Sequence, residues 1–248
     1  EIASCLVGSE MCIRDSVKPE YNPIFSHGHM VWLDTNLQQM LVDESLLNIG
    51  FYIERWQEIE DMEDEMKRLR AYVNEHLWDE RTAFLYDRYG DGTLCTTKGI
   101  GAFWALQADA LDRERLDRMV AHLSDTTEFD RPHRVPSLSA DHPKYNPLGR
   151  YWQGGVWPGT NYMTIDGLYR KGYHDLAREI AANHYAAVFE VWKNTGTFWE
   201  YYAPEKIEPG FMARKDFVGW TGLPPIAVFI EYILSLIHIS EPTRQEAI

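Results

Sequence analysis

Residues 157–192 read WPGTNYMTIDGLYRKGYHDLAREIAANHYAAVFEVW. Two apolar-periodic stretches, 157–170 and 173–192, are separated by Lys171-Gly172, and glycine is a natural stop for a helix. The segment predicts two helices joined by a tight turn, and the rest of the chain repeats the theme. Residues 32–56 carry Leu33, Leu37, Met40, Leu41 and Leu47 at helical spacing. Over residues 59–77, Ile59, Met62, Met66, Leu69, Val73 and Leu77 step at three or four while charged residues fill the gaps, which predicts an outer helix with one wet face. Residues 101–111 and 113–123 make a further expected helical pair. A last helix is expected after residue 218, with Ile226, Phe229, Ile230 and Ile233 inward.

Three segments break the helical period. Residues 83–97 contain Phe84-Leu85-Tyr86 and an Asp91-Gly92 turn and read as a short β-hairpin. Residues 124–151 hold Pro132, Pro136, Pro143 and Pro147, which prevent a helix, yet also enough apolar residues to pack as an ordered loop. Residues 193–218 form a second long loop. About seven helices in hairpin-like pairs, with long loops alternating with short ones, predict an all-α fold. The arrangement suits a closed toroid of helical hairpins with function in the long loops on one face. Periodicity alone leaves a generic helical bundle open, and no solenoid-type repeat is visible.

The two ends read differently from the middle. Met11-Cys12-Ile13-Arg14-Asp15-Ser16 can be back-translated to a DNA string whose reverse complement, in another frame, encodes Leu234-Ser235-Leu236-Ile237-His238-Ile239. That string resembles the transposon end used in sequencing libraries. Residues 1–16 and 234–248 are therefore expected to be adaptor-derived and set aside from fold reasoning, leaving 17–233 as a partial catalytic domain.

Within 17–233 only Cys95 remains of the three cysteines, so no internal disulfide is expected there. The ends contribute about −3 to the formal charge of −14. The remaining acidity repels phosphate backbones and argues against nucleic acid as a partner. No apolar run approaches the roughly 18 residues of a membrane span, so no membrane partner is expected. A cytoplasmic location is the expectation, although without the natural N-terminus the lack of a signal peptide carries no information. No His, Cys, Asp and Glu run has structural-zinc spacing, and the stretch from Asp87 to Asp91 lacks the glutamate of a calcium loop. No metal and no other cofactor is expected, and a homo-oligomer is left open.

The chemistry sits in the loops. Tyr151-Trp152-Gln153-Gly154-Gly155-Val156-Trp157-Pro158-Gly159-Thr160-Asn161-Tyr162 gathers two Trp, two Tyr and two amides around glycines at the mouth of a helix. Aromatic faces pack on the C–H faces of a sugar while amides bond its hydroxyls. Phe198-Trp199-Glu200-Tyr201-Tyr202 sets a carboxylate among rings, and partial shielding from water tunes a carboxylate for proton transfer. Gly219-Trp220-Thr221-Gly222 again precedes a helix. Singly, each aromatic cluster is as compatible with core packing as with a binding site.

In this order the clusters resemble the C-terminal half of glycoside hydrolase family 63, closest to its bacterial mannosylglycerate hydrolase type. Leu77-Trp78-Asp79-Glu80, Phe84-Leu85-Tyr86-Asp87 and Val135-Pro136-Ser137-Leu138 also match segments these enzymes share. The Glu200-Tyr201 and Gly219-Trp220-Thr221 pieces are similar, more distantly, to trehalases.

The resemblance implies the C-terminal part of an (α/α)6 barrel and an inverting glycoside hydrolase. The small carbohydrate substrate would be α-linked: mannosylglycerate, glucosylglycerate or an α-gluco-oligosaccharide. Glu200 would be the general base. Tyr151, Trp152, Gln153 and Trp157 would line the subsite beside the scissile bond, Trp199 and Tyr201 on either side of the base would also bind substrate, and Trp220 would close the floor. The acid in this family is an Asp of a Gly-Trp-Asp motif, which this chain lacks; Asp34 is the nearest local candidate and is not assigned. About seven helices would leave such a toroid open, so the chain alone is expected to be inactive and to show apolar strips to water.

Rival readings are a trehalase-like hydrolase, a non-catalytic sugar-binding barrel, or a sugar epimerase of the same architecture. The epimerase would use histidines such as His27, His29, His133 or His142 for proton transfer at carbon. Glu205 and Glu208 read as solvated loop charge.

Overall fold

Helix dominates the computed structural model, which describes residues 30–234. The adaptor readings for 1–16 and 235–248, and His27 and His29, lie outside the described residues. The described residues form two compact units: one comprises those up to Phe129 together with Leu138–Tyr145, the other Asp130–Ser137 with those from Asn146 onward.

In the first unit, helices α1 (Leu33–Tyr52) and α2 (Glu60–Tyr72) pack on each other. The inward residues of α1 are Leu33, Leu37 and Met40 at helical spacing, as the sequence predicts. Its other face carries Val42, Leu46 and Ile49, all exposed, which repeat at four and three residues and form a second apolar stripe, and Ile53 just past the helix end is exposed as well. Met62, Met66 and Leu69 are half-buried on α2, and the stripe ends in Val73 and Leu77, both fully buried in a wider turn, Val73–Leu77.

The expected hairpin forms between β4 (Asp87–Tyr89) and β5 (Leu94–Cys95), and β1 (Met30–Val31) adds a third strand to it. Its register pairs Asp87 with Cys95 and Met30 with Tyr89. A separate two-stranded ladder joins β2 (Trp78–Asp79) to β3 (Phe84–Leu85).

Phe84 is fully buried at the centre of this unit. Phe103, His122 and Phe129 lie 5.8, 5.1 and 6.1 Å away, centre to centre, with the first two edge-on and the third stacked. The helix expected over 101–111 is shorter: a 3₁₀ segment Ile100–Trp104 runs into one α-turn, Ala105–Ala108, and stops where Asp109 turns left-handed at φ 51°. Helix α3 (Arg113–Val120) begins at Asp112, whose carboxylate accepts the Arg115 N–H at 2.9 Å and satisfies one of the orphan donors of the first turn.

The second unit holds the helical pair on which the sequence reading rests: α4 (Pro158–Arg170) and α5 (His174–Thr195). Pro158 starts α4, where a missing N–H costs nothing. Gly172 makes the turn at φ +86°; no atom lies near where its Cβ would be, so the backbone angle and not space calls for glycine.

The last helix differs from its expectation. Pro224–Leu234 is wound as a π-helix, with the Val228 N–H bonded to the Leu223 carbonyl five residues back. Val228 and Tyr232 face inward, whereas Ile226 and Ile230 are 62% and 57% exposed. A 3.6-residue period mis-assigns the face because the wider helix turns each side chain through a smaller angle.

Phe84→Ala is expected to cost about 3–5 kcal/mol in denaturant unfolding, since the cavity would sit among rings with no room to collapse. Asp112→Ala should cost only about 1 kcal/mol.

Candidate active site

Two loop segments of the second unit are tied together by backbone. The Val156 and Tyr202 peptides exchange both hydrogen bonds, at 2.9 and 3.0 Å, as an isolated antiparallel pair. Beneath them Val156, Val188, Val191 and Tyr202 form a buried core on which Phe198 and Trp199 pack. The loop bearing Trp152 and Trp157 is thereby fixed against the loop bearing Glu200.

Five of the predicted residues come together as a ring cluster centred on Trp157. Its indole stacks on Trp152 at 4.3 Å and 15°, and on Tyr201 at 4.6 Å and 27°. Tyr151 meets it edge-on at 5.1 Å and Trp220 tilts against it at 5.8 Å. Trp152 and Tyr201 therefore take up the flanks of Trp157, and its Nε1–H reaches the Tyr151 carbonyl at 3.3 Å. Trp157 and Trp152 are buried, whereas Tyr151 and Trp220 are 36% and 39% exposed and are the rings of the cluster that reach solvent. Gly155 is required here: a Cβ would sit 2.3 Å from the Tyr151 carbonyl oxygen and 3.0 Å from the Tyr201 ring.

Trp199 stands apart from this cluster. It packs on the valine core and its Nε1–H donates to the Thr195 hydroxyl at 3.1 Å. Gln153 lies in the turn itself, donating its backbone N–H to the Arg150 carbonyl and accepting from the Asn146 N–H.

Glu200 is half-buried, and its main chain is held at both ends. Its N–H donates to the Arg214 carbonyl at 3.0 Å, and its carbonyl accepts the Trp220 indole N–H at 2.7 Å. Among the described residues nothing hydrogen-bonds its carboxylate. Burial, with the neighbouring Glu200 charge second, pushes the Tyr201 phenol up to about 12, so Tyr201 stays protonated and donates to the Phe211 carbonyl at 2.8 Å.

Asn161, the second amide of the 151–162 stretch, bonds main chain instead of standing open to a sugar. Fully buried on α4, it accepts the Val135 N–H and donates to the Val135 and Trp157 carbonyls, tying the proline-rich loop to the start of the helix. Glu205 differs from its expectation as solvated charge: it takes the Arg131 guanidinium at two points, 2.6 and 2.8 Å. Asp34 belongs to the other unit, buried in the first turn of α1.

His133 and His184 lie fully buried in contact, Nε2 to Nδ1 at 2.8 Å, with the His133 ring 5.6 Å from Tyr202. Among the described residues their outer nitrogens have no hydrogen-bond partner. Burial drives both far below the ordinary histidine range, His184 to about 3, so the pair is neutral, one ring donating and the other accepting. A sealed neutral pair of this kind does not serve as the substrate-facing base of an epimerase.

The comparisons with known proteins concern the fold and the family. In fold the chain is similar to solved helical-hairpin glycosidases. The solved family 63 mannosylglycerate hydrolase of Thermus thermophilus, in complex with glucose, superposes with a TM-score of 0.67 at 22% identity over 81% of this chain and 48% of that one. The mannosylglycerate hydrolase MGH1-like glycoside hydrolase domain matches residues 13–217, and the chain belongs to that family. Curated relatives include a probable mannosyl-oligosaccharide glucosidase of Schizosaccharomyces pombe, 30% identical over 64% of this chain and 22% of its own length. Another is the mannosylglycerate hydrolase of Rubrobacter radiotolerans, 29% identical over 64% of this chain and 35% of its own length. The chain thus spans well under half the length of these relatives.

Because an unfolded histidine takes up a proton below about pH 6.5 while the buried pair stays neutral, stability is expected to hold above that pH and fall as the pH drops through 6 and 5. Denaturant midpoints across pH 4–8 check this, and His184→Asn should flatten the acid limb.

Proposed function

We propose that this chain carries the general-base side of an inverting α-glycosidase, with Glu200 as the base. The observation that carries the reading is a carboxylate with no hydrogen-bond partner among the described residues, on a main chain held at both its N–H and its C=O, beside a cluster whose exposed rings are Tyr151 and Trp220. Such a carboxylate is free to hold and deprotonate a water.

In the reaction, the oxygen of that water bonds to the anomeric carbon and its proton passes to Glu200. The bond from that carbon to the leaving oxygen breaks on the opposite face, and configuration inverts. The leaving oxygen takes its proton from a second carboxyl group about 6.5–9.5 Å from the first. The chain contains no Gly-Trp-Asp, so we assign the acid to a segment outside it. Tyr151 and Trp220 pack the sugar; Trp152, Trp157 and Tyr201 act as the buried wall that orients them. Trp199 supports the base from the core side. The names of the relatives support mannosylglycerate or another α-linked glycoside as substrate.

A glycosyl fluoride tests the base alone, since fluoride departs as an anion and needs no acid. The full-length enzyme is expected to release fluoride and β-mannose from α-D-mannosyl fluoride even with its acid Asp replaced by Asn, and to lose fluoride release by at least about 100-fold in Glu200→Gln. Equal rates in the wild type and Glu200→Gln would remove Glu200 from the mechanism.

A further inference from the structure

We infer that Thr221 is a positioning residue for the Glu200 carboxylate, acting with Trp220 as a two-point clamp on the main chain; the inference rests on Glu200 being the base. Two consecutive side chains hold two consecutive carbonyls. The Thr221 hydroxyl donates to the Trp199 carbonyl at 2.7 Å, and the Trp220 indole N–H donates to the Glu200 carbonyl at 2.7 Å.

The remaining polar groups of the same dipeptide are also engaged. The Trp199 N–H reaches the Tyr202 hydroxyl at 3.3 Å and the Glu200 N–H reaches the Arg214 carbonyl at 3.0 Å. The carboxylate itself has no hydrogen bond among the described residues, so its placement is inherited from its main chain. Both carbonyls of that main chain are set by residues 220 and 221.

The clamp stands on a stiff mount. Trp220–Gly222 is a 3₁₀ turn in which Gly222 N–H bonds the Val218 and Gly219 carbonyls and Leu223 N–H bonds that of Trp220, and it runs directly into the π-helix. Thr221 is fully buried, and its β-branch restricts χ1 to few rotamers, so the hydroxyl has little freedom to leave its partner. A general base works only if its oxygen lies within hydrogen-bond reach of the water it deprotonates, and small displacements of such a group cost rate.

Thr221→Val keeps the shape and removes the donor, whereas Thr221→Ser keeps the donor. In the full-length enzyme with α-D-mannosyl fluoride, Thr221→Val is expected to lower kcat about tenfold or more with KM nearly unchanged, and Thr221→Ser to recover most of it. Amide hydrogen exchange at Glu200 should quicken about tenfold in Thr221→Val while exchange across α5 is unaltered. Wild-type kcat in Thr221→Val, or failure of Thr221→Ser to restore it, overturns the inference. If the wild type and Glu200→Gln release fluoride alike, the base assignment fails by itself, and exchange at Glu200 then decides the clamp: unchanged exchange in Thr221→Val overturns it.

Discussion

The candidate site depends on the reciprocal backbone pair between Val156 and Tyr202. These two residues sit in loops that are far apart in sequence and carry unlike chemistry, rings in one and a carboxylate in the other. Their paired peptides set the loops in register, and the valines of α5 keep water from competing for those bonds. Since Val156 is two residues ahead of Pro158, where α4 starts, and Tyr202 is two beyond Glu200, the same contact transmits the position of the α4–α5 pair to the proposed base.

Around this contact the site is built from groups that give up their own freedom. Trp157 commits its flanks to Trp152 and Tyr201, and Trp220 commits its N–H to the Glu200 carbonyl. The Tyr201 phenol is held by a carbonyl, and the two buried histidines behind Tyr202 bond each other. What the proposed function leaves for a substrate is the partly exposed rings of Tyr151 and Trp220 and the Glu200 carboxylate. Preorganisation of this kind places charge and surface before the substrate arrives, so less ordering remains to be done in the transition state.

Much of this was legible in the sequence. The helical period over 157–192 gave the α4–α5 pair with its glycine turn, and the Asp91-Gly92 signal gave the hairpin. The aromatic loops were recognisable because Trp and Tyr are dense around glycines. The order of the stack was not legible, because a run of rings does not reveal which of them covers which; Trp157 is interior and Trp199 faces the valine core. The inward face of Pro224–Leu234 was misread because π-winding leaves no mark in a pattern of apolar residues. Thr221 lay inside a quoted motif, but a lone hydroxyl shows its role only through the carbonyl it bonds.

The most direct measurement is to read the source DNA upstream of residue 17, express the extended frame and assay it on mannosylglycerate. The account predicts a Gly-Trp-Asp in that frame and an inverting hydrolase in which Asn at that Asp, or Glu200→Gln, each lowers turnover by at least about 1,000-fold. A completed barrel with no carboxylate at that place, binding sugar without turning it over, would contradict the account and leave Glu200 without the partner its role requires.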